Sequence, residues 1–145
     1  MLSATWSLSS KPGCEIAVAN ELIRCIETEI DCHPRLQEIH TVVTEACLNA
    51  MEHGNRFDGN KSVQVALSIQ ADAVIVRIRD EGEGWPDGIP PLPDPQEIWQ
   101  RDNPRGWGLV FIQAFADRVI TGLDGQGFYM ELHFAKPSFK QKGTV

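Results

Sequence analysis

The chain has 145 residues, enough for one domain with a single good core, and its 42% hydrophobic and 23% charged residues are those of an ordinary globular protein. A formal net charge of −7 leaves no basic face to neutralise phosphates, so direct nucleic-acid binding is excluded from the expected functions. No apolar run approaches the ~20 residues that span a bilayer, and residues 1–6 have neither the basic end nor the apolar stretch of a signal peptide.

Residues 5–8 alternate polar and apolar and predict a short first strand, broken by Lys11-Pro12-Gly13. From 14 to 31, Ile16, Ala19, Ile23, Ile26 and Ile30 recur at helical spacing and predict an amphipathic helix. His33-Pro34 ends it, because proline disfavours helix at the residue before it. A second helix is expected over 35–53, with Leu36, Ile39, Val43, Ala46, Cys47 and Ala50 as its buried stripe and Gly54 closing it. The period then changes to two. Val63, Val65, Leu67 and Ile69 form one apolar set and Val74, Val76 and Ile78 the next, across a short turn at Ala71-Asp72. This is a hairpin with one face buried. Continuing the count puts Asp80 on the buried face, where a carboxylate is costly without a partner.

Residues 82–106 carry Pro86, Pro90, Pro91, Pro93, Pro95 and Pro104 and no sustained periodicity, so a long loop is expected there. A third helix follows over 109–116, then strands over 118–121 and 128–134 around an Asp124-Gly125 turn. This order gives an α+β fold, a two-layer sandwich with helices on one face of a mixed, mainly antiparallel sheet. Residues 1–137 form the single domain and 138–145 a polar tail. Cys14, Cys25, Cys32 and Cys47 show no C-x-x-C pair and no zinc spacing with the histidines. Reduced thiols, mostly buried in helices, and a cytoplasmic location without membrane attachment are therefore expected.

Three clusters carry chemistry. On the second helix, Glu45 and Asn49 are four residues apart and share a face. A carboxylate there can take a proton and an amide oxygen can ligate Mg²⁺, although a solvated helix face is the plain reading of such a pair alone. At the end of the third predicted strand, Asp80-Glu81-Gly82-Glu83-Gly84 sets a carboxylate beside two glycines that admit close backbone approach. Acidic, glycine-rich turns are common in any fold. Arg105-Gly106-Trp107-Gly108 opens the third helix, whose free N–H groups and dipole favour phosphate; an ordinary loop-to-helix turn would look the same. Residues 54–62 nearly spell a phosphate-binding P-loop, but Asn60 separates Gly59 from Lys61 and the segment follows a helix rather than a strand. Gly82-x-Gly84 lacks the third glycine of a dinucleotide fingerprint and leads into Pro86.

Taken in this order and spacing, the clusters resemble the N, G1 and G2 boxes of the superfamily of gyrase, heat-shock chaperone, MutL and histidine-kinase ATPases. Within it the chain is most similar to the bacterial anti-sigma-factor serine kinases, whose E-A-x-x-N-A-x-x-H-G helix it matches at every fixed position over 45–54. The resemblance covers nearly the whole chain and implies a Bergerat ATP-binding fold that takes ATP with Mg²⁺. It implies Glu45 as general base, Asn49 as magnesium ligand and Asp80 as acceptor for the adenine amine, with Gly82 and Gly84 shaping the base pocket. Gly106 and Gly108 would cradle the phosphates, Arg105 would reach the terminal one, His53 would line the site, and residues 85–104 would form a lid. The sequence departs from the family pattern at Gly127-Phe128, where Gly-Thr is usual, so Asp80 is expected to be held less well. Trp107 is bulky for a phosphate loop.

The expected activity is that of a protein serine/threonine kinase in a partner-switching circuit. By resemblance its partners are a sigma factor and an antagonist phosphorylated on serine, with a homodimer left open. The rival expectation is a non-catalytic module that controls a partner by nucleotide occupancy. A detached histidine-kinase catalytic domain fits less well, because the first ~30 residues offer one helix and no helical hairpin to present His33 or His40.

Overall fold

The computed structural model describes residues 2–30, 35–84, 96 and 108–136. Their elements, in chain order, are β1 (Leu2–Ser9), α1 (Cys14–Glu29), α2 (Leu36–Asn49), β2 (Ser62–Ile69), β3 (Ala73–Arg79), α3 (Gly108–Phe115), β4 (Arg118–Asp124) and β5 (Gly127–Ala135). The five strands form one sheet in the order β1-β2-β3-β5-β4, and each of its four pairings is antiparallel.

Alternation fixes which face of the sheet is dry. Val63, Val65, Leu67 and Ile69 of β2, Val74, Val76 and Ile78 of β3, and Phe128, Met130, Leu132 and Phe134 of β5 are all buried. They meet Ile39, Val42, Val43, Ala46 and Cys47 of α2 and Val18, Ala19, Leu22 and Ile26 of α1, so helices and sheet enclose one core. This is the expected α+β sandwich, except that the sheet, expected to be mixed, is antiparallel at every pairing among the described residues. The β2–β3 register, with Val65 opposite Ile78 and Leu67 opposite Val76, is the one the hydrophobic pattern demands, since a slip of one residue would turn every valine to solvent.

Several boundaries differ from the sequence reading. β1 extends to Leu2–Ser9 because it pairs along its whole length with β2. The buried face of α1 is set by Val18, Ala19, Leu22 and Ile26, while Ile16 is half exposed. Two overlapping apolar stripes exist on this helix, and contact with α2 and the sheet selects one. Asp124 pairs with Gly127, so the turn residues are Gly125 and Gln126 rather than Asp124-Gly125. The expected second helix ends as an α-helix at Asn49 and continues as one π turn over Ala50–Gly54, closed by Asn55 N–H donating to the Ala50 carbonyl at 2.8 Å. Cys14, Cys25 and Cys47 are free thiols. Burial, with Glu15 nearby, pushes the Cys47 thiol up to about 12, so it is an inert core group.

Arg35 fastens the far ends of α2 and α3. Its guanidinium donates to Glu38 at 2.8 Å, to Asp117 at 2.6 Å and to the carbonyl of Phe115, and it lies over the Phe134 ring. Burial works against the Asp117 charge, yet the Ala135 N–H and Arg35 hold its carboxyl below the usual range. Arg35→Ala is expected to lower stability by about 1–3 kcal/mol, because it strands a helix-end carbonyl and a carboxylate together. Urea unfolding checks this; an unchanged midpoint would mean solvent replaces all three contacts.

Candidate functional site

Asp80 follows the last residue of β3, and its N–H continues the ladder by donating to the Phe128 carbonyl at 2.9 Å. The sequence count placed its side chain inward, and it is 4% exposed. Burial raises the pKa of the carboxyl, offset in part by the Gly82 N–H, which donates to Oδ1 at 2.7 Å, and by the charge of Lys61. The carboxylate is therefore held from its own chain, two residues on.

Its surroundings depend on absent side chains. A Cβ on Gly54 would run into the Asp80 carboxyl, and one on Gly82 would come within 2.5 Å of the Gly54 carbonyl oxygen. The two glycines thus let the end of the π turn and the loop after β3 touch backbone to backbone. Beside them opens a cavity of about 220 Å³ lined by Ala46, Asn49, Ala50, His53, Gly54, Ile78, Asp80, Gly84, Phe128 and Met130. Ala46, Ala50, Ile78, Phe128 and Met130 give it apolar walls, and the Asp80 carboxylate, the Asn49 amide and the His53 imidazole stand among them. That suits a flat heteroaromatic ring bearing a hydrogen-bond donor.

Glu45 and Asn49 lie four residues apart on α2, and His53 follows four residues later in the π turn. Asn49 is 8% exposed, and its Nδ2 has no hydrogen-bond partner among the described residues. A methyl placed on Gly108, the first described residue of α3, would lie 2.9 Å from Glu45 Oε2 and 3.5 Å from Asn49 Nδ2 and Oδ1. The start of α3 therefore abuts a carboxylate and an amide at the edge of the cavity. Helix N-termini favour anions, while the carboxylate repels them, so a polyanion seated here requires a cation between.

Comparison with known proteins gives this arrangement its family. The histidine kinase-like ATPase domain family matches residues 12–131. The chain belongs to that family. Among curated relatives of this ATPase domain, the anti-sigma F factor of Geobacillus kaustophilus (strain HTA426) is 36% identical over 105 residues, 70% of this chain and 71% of the relative. The anti-sigma F factor of Oceanobacillus iheyensis is 32% identical over 128 residues, 83% of this chain and 85% of the relative. A solved structure of the RsbU and RsbW domains of a Mycobacterium tuberculosis protein superposes with a TM-score of 0.64 at 17% identity. It matches 95% of this chain but 34% of that longer one, and at this identity it shows the shared fold. Together the family match and these relatives place the chain with the anti-sigma F factors within the histidine kinase-like ATPases. Membership of an ATPase domain family implies ATP binding.

Of the residues expected to bind nucleotide, Asn49, His53, Asp80 and Gly84 line the cavity, Gly82 packs on Gly54, and the expected base Glu45 meets Gly108 beside Asn49. His53 keeps a largely exposed ring 3.9 Å from Glu52. Arg105, Gly106, Trp107 and the expected lid over 85–104 lie outside the described residues. Phe128 fills the place where the family pattern has threonine, and its ring packs against Gly84. The Asp80 carboxylate still keeps a direct 2.7 Å contact from Gly82 N–H. Sequence reasoning missed Ala46, Ala50, Ile78 and Met130 as cavity residues, reading the first three as core and leaving Met130 inside a strand. Their offsets were available: Ala46 and Ala50 flank Asn49 on the helix, Ile78 stands two before Asp80, and Met130 is its cross-strand partner.

Proposed function

We propose that the chain is an ATP- and Mg²⁺-dependent protein serine/threonine kinase that acts as an anti-sigma factor in a partner-switching circuit. Its partners in this reading are a sigma factor and an antagonist that it phosphorylates on serine. The single observation that carries it is the meeting of Glu45, Asn49 and the first residue of α3 at the mouth of the cavity that ends on Asp80. Family membership supplies the ATPase frame, and anti-sigma F factors among the relatives supply the circuit. The reading takes residues 1–137 as the catalytic domain and 138–145 as a tail.

In this reading Asp80 accepts a hydrogen bond from the adenine amine, while Ile78, Met130 and Phe128 pack on the ring. The triphosphate runs toward the start of α3, where Gly108, and Arg105 and Gly106 before it, receive the phosphates. Glu45 takes the proton of the incoming serine hydroxyl. The residues present suit magnesium: the Asn49 amide offers a neutral oxygen on the cavity lining, beside a glycine that keeps the approach open. When bound, the ion neutralises phosphate charge. Most of the rate enhancement then comes from positioning and electrostatics.

Incubating the chain with labelled ATP and the proteins encoded beside it tests the reading. Phosphoserine on one of them is the expected product. Phosphohistidine would assign a different kinase chemistry, and ATP binding with no transfer would leave control by occupancy alone.

Asn49→Ala separates metal from base recognition. With Mg²⁺ the native chain should bind ATP about tenfold or more tightly than with chelator, and the variant should lose most of that difference. The apo variant should also melt higher, since a buried amide nitrogen with no partner among the described residues is removed. Calorimetry with and without Mg²⁺ reads the first effect and thermal unfolding the second. Undiminished magnesium dependence would remove Asn49 from the metal site.

A further inference from the structure

Asn55 directly follows the π turn of α2, and it is 1% exposed. Its side chain joins three separate stretches of backbone. Nδ2 donates to Ser10 Oγ and to the Ser62 carbonyl, each at 2.9 Å, and Oδ1 accepts the Glu81 N–H at 2.8 Å. Ser10 Oγ in turn donates to the Lys61 carbonyl at 3.0 Å. The segment after β1, the start of β2 and the loop after β3 thus converge on one carboxamide.

The residue it grips in that loop matters most. Glu81 sits between Asp80, which lines the cavity, and Gly82, which packs on Gly54. Its carboxylate is tied as well, with Oε2 accepting the Ser62 N–H at 2.7 Å. On the other side, the Asn55 N–H closes the π turn that carries His53 and Gly54. The gap between α2 and the Asp80 loop is therefore spanned by a side chain of fixed length, hydrogen-bonded at both ends. An aspartate could not donate to the Ser62 carbonyl, and an alanine would take a partner from the Ser62 carbonyl, the Glu81 N–H and Ser10 Oγ together.

We propose that Asn55 is a positioning residue for base recognition: by holding the Glu81 N–H it sets how far the Asp80 carboxylate stands from the α2 wall of the cavity. The proposal rests on the adenine-binding reading above. Adenine must fill that gap and reach Asp80 at the same time, so a shift of the loop weakens the contact to the purine amine more than it weakens packing on the ring. A supporting residue of this kind changes selectivity, whereas a residue that only stabilises the fold changes melting alone.

Calorimetric titration with ATP and with ITP, which carries an oxygen in place of the amine, tests it well below the melting temperature. Ser10→Ala removes one partner of Nδ2 and leaves the Glu81 contact in place. It should lower the Tm and keep the ATP-to-ITP affinity ratio within about twofold, while Asn55→Ala should lower that ratio about tenfold. A folded Asn55→Ala protein with the native ratio would make Asn55 a stability residue only, and the proposal would fall. Amide exchange on the unaltered chain gives a second arm. The Glu81 N–H should exchange slowly although it lies in a loop, and fast exchange there would overturn the proposal even if Asn55→Ala fails to fold. A native chain that binds neither nucleotide would remove the adenine reading itself, and this role with it.

Discussion

Glu45→Ala should bind ATP within about threefold of the native affinity and lose about 10²–10⁴ in the rate of serine phosphorylation. The split follows from where Glu45 stands. It lies one turn before Asn49 on α2, at the cavity's edge rather than in its wall, so it has little to add to holding the base. Its Oε2 faces the start of α3, where the terminal phosphate would arrive in the proposed reading. A carboxylate there repels a triphosphate in the ground state, which means its removal does not weaken binding and can strengthen it slightly. What it offers is a proton acceptor beside the group being transferred. Glu45→Gln keeps the size and loses the acceptor, so it should behave as the alanine variant does. Single-turnover transfer from labelled ATP, beside calorimetric affinities, reads both quantities. Equal rates in native and variant proteins would place the base elsewhere, and a common fall in affinity and rate would make Glu45 a binding residue.

The sequence pattern carried most of the sheet and much of the site, for reasons visible in particular residues. Strict alternation from Val63 to Ile78 fixes both face and register, and carrying the same count two residues further puts Asp80 inside. Four-residue spacing likewise puts Glu45 and Asn49 on one side of α2 whatever packs against it. Where two solutions satisfy the pattern, local reasoning has no means to choose. On α1, Ile16 and Val18 compete for the core, and the contact with α2 and the sheet decides for Val18. The π turn was not legible, because it depends on the Asn55 N–H reaching the Ala50 carbonyl while the Asn55 side chain is held by β2 and the Asp80 loop. Asn55 itself reads as a turn asparagine in sequence. Only the fold brings Ser10, Ser62 and Glu81 to it from distant parts of the chain.

Asp80→Asn should make the protein more stable at neutral pH and reverse its preference between purines. Stability comes first. Burial raises the Asp80 pKa above that of the unfolded chain, so the folded state holds its proton more tightly. Below the ordinary carboxylate range both states are protonated and no penalty exists. As pH rises from that range through the raised folded value, the native state loses stability, and at neutral pH the full penalty remains. Asparagine carries no charge to desolvate, so the variant should melt a few degrees higher at pH 7 and no higher near pH 3. The effect on recognition has the opposite sense. Gly82 N–H donates to one side-chain oxygen at 2.7 Å, and in the variant only an amide oxygen can take that place. The amide nitrogen must then face the cavity, presenting a donor where the carboxylate presented an acceptor. Donor meets donor at the adenine amine, and a charge-assisted hydrogen bond is lost, so ATP affinity should fall about 10- to 100-fold. The 6-oxo group of ITP meets a donor instead and should bind at least as well as before. Melting curves between pH 3 and 8, with titrations of both nucleotides, measure the two halves independently. A variant that still prefers ATP would mean Asp80 does not contact the purine amine, even if the predicted gain in stability is found. A gain in stability that persists unchanged to pH 3 would mean that the charge of Asp80 is not what costs the native fold its stability.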